Sequence, residues 1–309
     1  MTRVATNANF QSALLDLQRA QARGQDAQTR ISTQKNATDL KGFGRGSETL
    51  TALRSMSSRI EGFINTGETV KVRLETQALA LDRIADAAQG AREAIGQAIA
   101  SGRFDGLMLD LNGQYLAAQG GLNAKHQGSY LFAGARTTEA PVTADTLSDL
   151  AAAPDVASVF VNDDLKATSR LDEKTALTTG FLADEIGAPL MAVFRAIQEY
   201  HTGPAGPLDG QLDEAGKAFL EARLAELDDA RETVIQAGAR NGSIQNRVDT
   251  LLKAHEAQQT ALGELIGDRT DADMAKAVTD LQLSQVAIQA SAQVINQLRD
   301  VSLLNLLRS

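Results

Sequence analysis

Residues 274–295 read MAKAVTDLQLSQVAIQASAQVI. Within them Met274, Val278, Leu281, Gln285, Ile288, Ala292 and Ile295 recur at alternating steps of four and three. That mean spacing of 3.5 residues is the seam of a coiled coil. No proline interrupts it. Moving outward, the chain holds only Pro141, Pro154, Pro189, Pro204 and Pro207, so none lies in 1–140 or 208–309. Proline removes a backbone donor and clashes with the preceding turn of a helix. The prolines therefore divide the chain into two helical flanks around an irregular central insert.

The N-terminal flank repeats the pattern at Phe10, Leu14, Leu17, Gln21, Gly24, Gln28 and Ile31. Two longer tracts lie between. One runs Leu53, Ser57, Ile60, Ile64, Gly67, Lys71, Leu74, Ala78, Leu81, Ala85, Ala88, and the other Ile244, Val248, Leu251, His255, Gln258, Leu262, Leu265. A helix over most of 208–265 would exceed ~80 Å, whereas a compact globule of this length spans some ~40 Å. The expected fold is mainly α: an elongated antiparallel helical hairpin or coiled coil of the two flanks, with a small β-containing central insert. The expected divisions are an inner N-terminal helix and joint (1–45), the N-terminal half of a helical rod (46–137), an outer insert (138–207), the C-terminal half of the rod (208–268) and an inner C-terminal helix (269–309).

Gln21, Gly24 and Gln28 weaken the first seam, and Gln285 and Ala292 the last. Such helices gain little from pairing against the entropy of ordering. Roughly the first forty and last forty residues are therefore predicted to be disordered in an isolated monomer and to order on assembly. In the insert, Ala157–Val161 and Ala176–Thr179 read as short strands. Ile186, Leu190, Val193, Phe194 and Ile197 fit a short amphipathic helix, and Gly203–Pro207 is a breaker.

Composition narrows function. The 309 residues carry 30 Lys+Arg against 39 Asp+Glu, a formal charge of -9, which argues against nucleic acid as a partner. There is no Cys, hence no disulfide, thiolate metal site or Cys nucleophile. Aromatic residues are 4%, so the apolar content rests on Ala, Leu, Ile and Val, which suits long helices. The start lacks an apolar core and cleavage site, so no signal peptide is expected. The uncharged stretch 281–298 is dotted with Gln and Asn, so no stable membrane insertion is expected either.

Catalytic and metal chemistry find little purchase. His126, His201 and His255 are not at chelating spacing; His255-Glu256 begins like a zinc-protease motif, but Gln259 stands where a second His is needed. Asp163-Asp164 and Asp228-Asp229 are adjacent carboxylates that diverge in direction and read as solvated. Lys41-Gly42-Phe43-Gly44-Arg45-Gly46 lacks the Gly-Lys-Ser/Thr ending of a phosphate loop and reads as a joint between the first two helices. No cofactor and no enzyme activity are expected. The apolar end Val301–Ser309, with Leu303, Leu304, Leu306 and Leu307, reads as a partner-binding helix.

Together these features resemble the bacterial flagellin family of axial filament proteins. Asp271–Ala275, continuing through Leu281, Gln285 and Gln289–Ser291 to Leu307, resembles the family's C-terminal signature. Gly238–Val248, with Arg240, Asn246 and Arg247, is similar to its Gly-Ala-Arg…Asn-Arg segment, and Arg30–Lys35 to its N-terminal motif, with Gln34 in place of the usual Gly. Gly128–Thr138, including Tyr130, Phe132 and Gly134, followed by Pro141, resembles the branch that joins hook to filament. The resemblance covers about 1–140 and 208–309.

It implies a structural subunit that assembles with itself and contacts a neighbouring hook-associated protein and flagellin. It also implies export unfolded through the flagellar type III apparatus, with a chaperone on the C-terminal helix, and an extracellular location in the flagellum. The assembly surface would comprise Phe10, Leu14, Leu17, Ile31, Met274, Val278, Leu281, Ile288, Ile295, Leu303, Leu304, Leu306 and Leu307. Filament flagellin and a non-flagellar coiled-coil adaptor stay open as alternatives.

Overall fold

A computed structural model describes residues 2–307 of the chain, with side chains described for 8–299. Its elements follow in order: α1 (Thr2–Thr33), α2 (Ser47–Ser101), α3 (Leu107–Leu122), β1 (Lys125–His126), β2 (Ser129–Tyr130), α4 (Leu147–Ala152), β3 (Thr168–Arg170), β4 (Ala176–Thr178), α5 (Ala183–Thr202), α6 (Glu214–Thr270) and α7 (Met274–Leu307). The fold is mainly α, with two small antiparallel hairpins, β1–β2 and β3–β4. The chain divides into two compact units. One combines residues up to Arg59 with those from Gln258 on; the other is Ile60–Ala257.

The unit 60–257 holds the main core. Heptad positions of α2 bury Leu74, Leu81 and Ala88, and α6 buries Leu220, Leu227 and Val234. Gly102 and Gly106, with φ of 70° and 81°, turn the chain from α2 into α3, a region glycine enters without steric cost. α3 then runs back along α2. The helices approach so closely at Gly121 that a Cβ there would sit 2.6 Å from the Ile84 side chain and 3.0 Å from the Ala80 carbonyl oxygen. Tyr115 of α3 is fully buried, edge-on to Phe194 of α5, and its hydroxyl donates to the Ala144 carbonyl at 2.6 Å. Burial pushes this phenol's pKa well up.

The insert differs from expectation at one strand. Residues 157–159 form a 3₁₀ turn, and only Phe160 makes a bridge, to Val142. Asp155 explains it: its carboxylate accepts from the Ser158 amide at 2.8 Å, and the Ser158 hydroxyl donates back to the Asp155 carbonyl at 2.6 Å. Such local side-chain bonds outcompete a strand. The second expected strand is present as β4, paired with β3. The amphipathic helix is α5; its Pro189 is exposed, and so is Glu185 four residues before, whose carbonyl the proline leaves without its helical donor. The helical reading of the N-terminal flank holds to Leu122; beyond it Gln127 (φ 49°) and Gly128 (φ 83°) fold a tight hairpin.

In the other unit, α1 and α7 pair antiparallel, their Cα atoms within 8 Å of each other along the contact. Both end segments are thus helical and paired with each other in the structure. Their seam explains why, and it carries the candidate site.

Candidate assembly interface

Among the described residues, the buried or half-buried apolar and small positions of α1 are Phe10, Ala13, Leu17, Ala20, Gly24, Ala27 and Ile31. Those of α7 are Ala277, Leu281, Ser284, Ile288, Ser291, Ile295 and Leu298. The spacing is still 3.5 residues, but the register corrects the sequence reading at every second position. Ala13, Ala20 and Ala27 replace Leu14, Gln21 and Gln28. Ala277, Ser284 and Ser291 replace Val278, Gln285 and Ala292. The physical reason is close approach. A Cβ on Gly24 would stand only 3.5 Å from the Ser284 Cβ, so large side chains cannot occupy these layers. The expected seam residues Phe10, Leu17, Ile31, Leu281, Ile288 and Ile295 are in place, each half-buried.

Leu14, Met274 and Val278 fall off this seam and are exposed. Large apolar side chains also face outward: Leu15, Val294, and Leu283 and Val286, the last two 63% exposed each. The side chains of Leu303, Leu304, Leu306 and Leu307 lie outside the described residues, although α7 continues through Leu307.

The seam ends in a clasp between two chain breaks. α1 stops at Thr33, Gln34 takes φ 56°, and α6 stops at Thr270. The Asn36 amide donates to the Thr270 carbonyl at 2.7 Å, and the Ala272 amide to the Gln34 carbonyl at 2.9 Å. The Asn36 side chain adds a bond to the Asp271 carbonyl at 2.8 Å. The Lys35 ammonium pairs with the Asp271 carboxylate and, with the Thr270 hydroxyl, holds it below the usual carboxylate range. One turn along, Arg30 bridges to Asp280 at 3.4 Å. The following loop is the expected joint: Leu40–Gly46 is a 3₁₀ segment capped by the Asp39 carboxylate on the Gly42 amide, and it leads into α2.

The Gly128–Thr138 motif organises the unit 60–257 rather than an exposed surface. Phe132 is fully buried, and its carbonyl accepts from the Ala183 amide at 2.9 Å, at the start of α5. Gly134 has φ 66°, and a Cβ on it would lie 2.1 Å from Asp163 Oδ1. That carboxylate accepts from the Ala135 amide at 2.8 Å and the Leu165 amide at 3.0 Å, which depresses its pKa. Tyr130 is half-buried under the Lys125 ammonium, 4.3 Å from the ring centroid. Arg240 lies over the Phe181 ring, while Asn246 and Arg247 are exposed. Sequence reasoning missed Asn241, 1% exposed, because its neighbours carried the motif.

The histidines serve structure. His126 bonds the Thr76 hydroxyl, His201 accepts from the Leu208 amide, and His255 bonds the Leu171 carbonyl. Among the described residues no three potential ligands gather as a metal site, and no helix is long and apolar enough to cross a membrane.

Comparison with known proteins gives this architecture a family. A family model for the bacterial flagellin C-terminal helical region matches residues 224–307. That span takes in most of α6, half of the clasp and α7. No curated protein matches the sequence. Among solved structures, a protein of Vibrio parahaemolyticus described as flagellar hook-associated aligns at a TM-score of 0.61 and 18% identity, over 73% of this chain and 97% of its own. FlgL of Bacillus cereus aligns at 0.57 and 16%, over 70% and 99%. At these identities the likeness is one of fold. Residues 224–307 thus match the bacterial flagellin C-terminal helical region, on a chain whose fold is like that of these flagellar hook-associated proteins.

Proposed function

We propose that this flagellin-type structural protein is a junction subunit between flagellar hook and filament. It assembles with copies of itself and meets a neighbouring hook-associated protein on one side and flagellin on the other. It is exported unfolded by the flagellar type III apparatus, its C-terminal helix held by a chaperone until then. The function is mechanical adaptation between two unlike lattices and needs no catalytic group.

The observation that carries this reading is the apolar outer face of the α1–α7 coil. Small residues take every second inward position, and Leu14, Leu15, Leu283, Val286 and Val294 face outward. An exposed apolar coil of this kind requires neighbours. The expected assembly surface, with Phe10, Leu14, Met274, Val278 and Leu303–Leu307, lies on the same two helices. In the assembled state residues 1–45 and 269–309 would line the inside, 46–137 and 208–268 the layer around it, and 138–207 the outside.

Immunogold labelling of intact cells with antibody against this chain tests the position. One label at the filament base is expected. Label along the whole filament would make the protein filament flagellin, and no label on any flagellum would return it to a non-flagellar adaptor.

A further inference from the structure

The unit 60–257 contains two apolar clusters rather than one. The larger takes Leu81, Ile84, Ala91 and Ile95 from α2 and Leu220, Leu227 and Val234 from α6, and extends through α3 and α5. The smaller has six buried residues: Val70 and Leu74 of α2, Val248 and Leu252 of α6, and Leu171 and Leu177 of the β3–β4 hairpin. Among the described residues only half-buried Ile244 packs against both.

The boundary between them is polar. Gln77, 0% exposed, and Asn241 stand where the heptad pattern elsewhere places Val70, Ile84, Val234 and Val248. Two ion pairs fix the antiparallel register on either side, Lys71–Asp249 at 2.8 Å and Arg92–Asp228 at 2.7 Å. Asn241 Nδ2 donates to the Leu74 carbonyl at 2.9 Å, which puts it level with Gln77. Among the described residues, neither Nε2 nor Oε1 of Gln77, nor Oδ1 of Asn241, has a hydrogen-bond partner. Buried unpaired amides cost free energy that an apolar pair would not, and apolar contact is interrupted where they sit.

Beyond the layer the small cluster is covered by the hairpin. Leu171, at the end of β3, is buried, and its carbonyl accepts from His255 Nε2 at 2.8 Å. The His255 ring stacks on Phe63 with centroids 5.6 Å apart. Around the hairpin's turn Arg170, Glu173 and Lys174 are exposed and Asp172 is half-buried.

We propose that the Gln77–Asn241 layer breaks the cooperativity of this unit. The coil beyond it, residues 60–76 and 242–257 with β3–β4 clasped over them, opens and closes by itself while the larger core stays folded. Free energies of local opening follow contiguous apolar contact. A layer that interrupts that contact lets the smaller cluster open at its own lower cost, and the hairpin is its latch.

Hydrogen exchange with mass spectrometry on the full chain tests this. Peptides covering 60–76, 168–178 and 242–257 should exchange together, at least tenfold faster after intrinsic correction than 80–98 and 220–234. The Q77L/N241L double variant should fuse the clusters and slow the outer peptides at least tenfold toward the core. Leu171→Ser should speed them at least tenfold and leave 80–98 unchanged. Equal protection of both regions in the wild type would overturn the proposal. So would a double variant that folds with the difference intact, or a Leu171→Ser variant that loosens the core equally. If the double variant does not fold, the Leu171→Ser result decides alone.

Discussion

Gly24→Ala tests the register of the α1–α7 seam directly. Gly24 is buried, and an added Cβ would meet only the Ser284 Cβ, at 3.5 Å, an ordinary contact. Alanine therefore fits without moving either helix. Inside a helix it gains about 0.5–1 kcal/mol over glycine through lower unfolded-state entropy. A newly buried methyl adds up to about 0.8 kcal/mol. The expected stabilisation is about 1 kcal/mol, or about fivefold slower exchange of the amides of α1 and α7. Gly24→Leu has no room and should cost about 1–3 kcal/mol as the helices part.

The register read from the sequence makes a competing prediction. There Gln21 and Gln28 would face α7, so Q21L/Q28L would convert two polar seam layers to apolar ones and stabilise strongly. In the structure both side chains are exposed, and the double variant should stay within about 0.5 kcal/mol of wild type. Hydrogen exchange is the suitable assay, because Tyr115, Tyr130 and Tyr200 all lie in the other unit and there is no Trp. Faster exchange in Gly24→Ala, or a larger gain from Q21L/Q28L than from Gly24→Ala, refutes the small-residue seam.

Gly134→Ala should destabilise the unit 60–257 by about 2 kcal/mol or more, since alanine resists positive φ and its Cβ would strike Asp163 Oδ1; the thermal midpoint should fall by roughly 4–8 °C. Tyr115→Phe removes a buried donor from the Ala144 carbonyl and should cost about 1–2 kcal/mol, read from urea unfolding. The Asp271 carboxylate has a pKa depressed on folding by Lys35. Its stabilisation of the clasp is therefore present above the unfolded value of about 3.9 and lost as pH falls through the lower folded value. Amide shifts of Asn36 and Ala272 should differ between wild type and Asp271→Asn at pH 6 and converge on acidification; a difference that persisted at the lowest pH would show that the ion pair does not hold the clasp.

How much could be read in advance depended on side-chain size. On α2 the tract Ile60, Gly67, Leu74, Leu81, Ala88 is buried as expected, because bulky apolar residues sit at the positions that pack. On α1 and α7 every second packing position holds Ala or Ser, whose hydropathy barely rises above the background, while Leu14 and Val278 stand one step away and draw the pattern toward themselves. In the insert, Ala157–Val161 has strand propensity, but one Asp–Ser pair closes a turn first. β3, Thr168–Arg170, has no apolar run and becomes a strand only because β4 pairs with it. The Gly134 requirement comes from Asp163, far along the chain, and no local pattern announces it. Gln77 was invisible for a further reason: the tract that runs through Leu74, Ala78 and Leu81 passes it by.

The α1–α7 coil has an energetic consequence. Burying an Ala side chain contributes on the order of 0.8 kcal/mol, whereas a Leu or Val contributes about 1.5–3 kcal/mol. Within one chain, α1 and α7 give every second inward position to Ala13, Ala20, Ala27, Ala277, Ser284 and Ser291, and leave Leu15, Leu283, Val286 and Val294 in water. Those outward Leu and Val side chains are apolar area that folding of the single chain leaves in water, beside what Phe10, Leu17, Ile31, Leu281, Ile288 and Ile295 contribute in the seam. Close packing of the small layers sets the register and brings the backbones together, and in the proposed assembly the outward Leu and Val side chains would be covered by a neighbour. A coil with Leu at the alanine layers as well, and Ala outside, would have less apolar area left for such assembly. The same arrangement places the Lys35–Asp271 clasp at the end of a weakly buried seam, where its hydrogen bonds fix the pairing of α1 with α7 before any neighbour arrives.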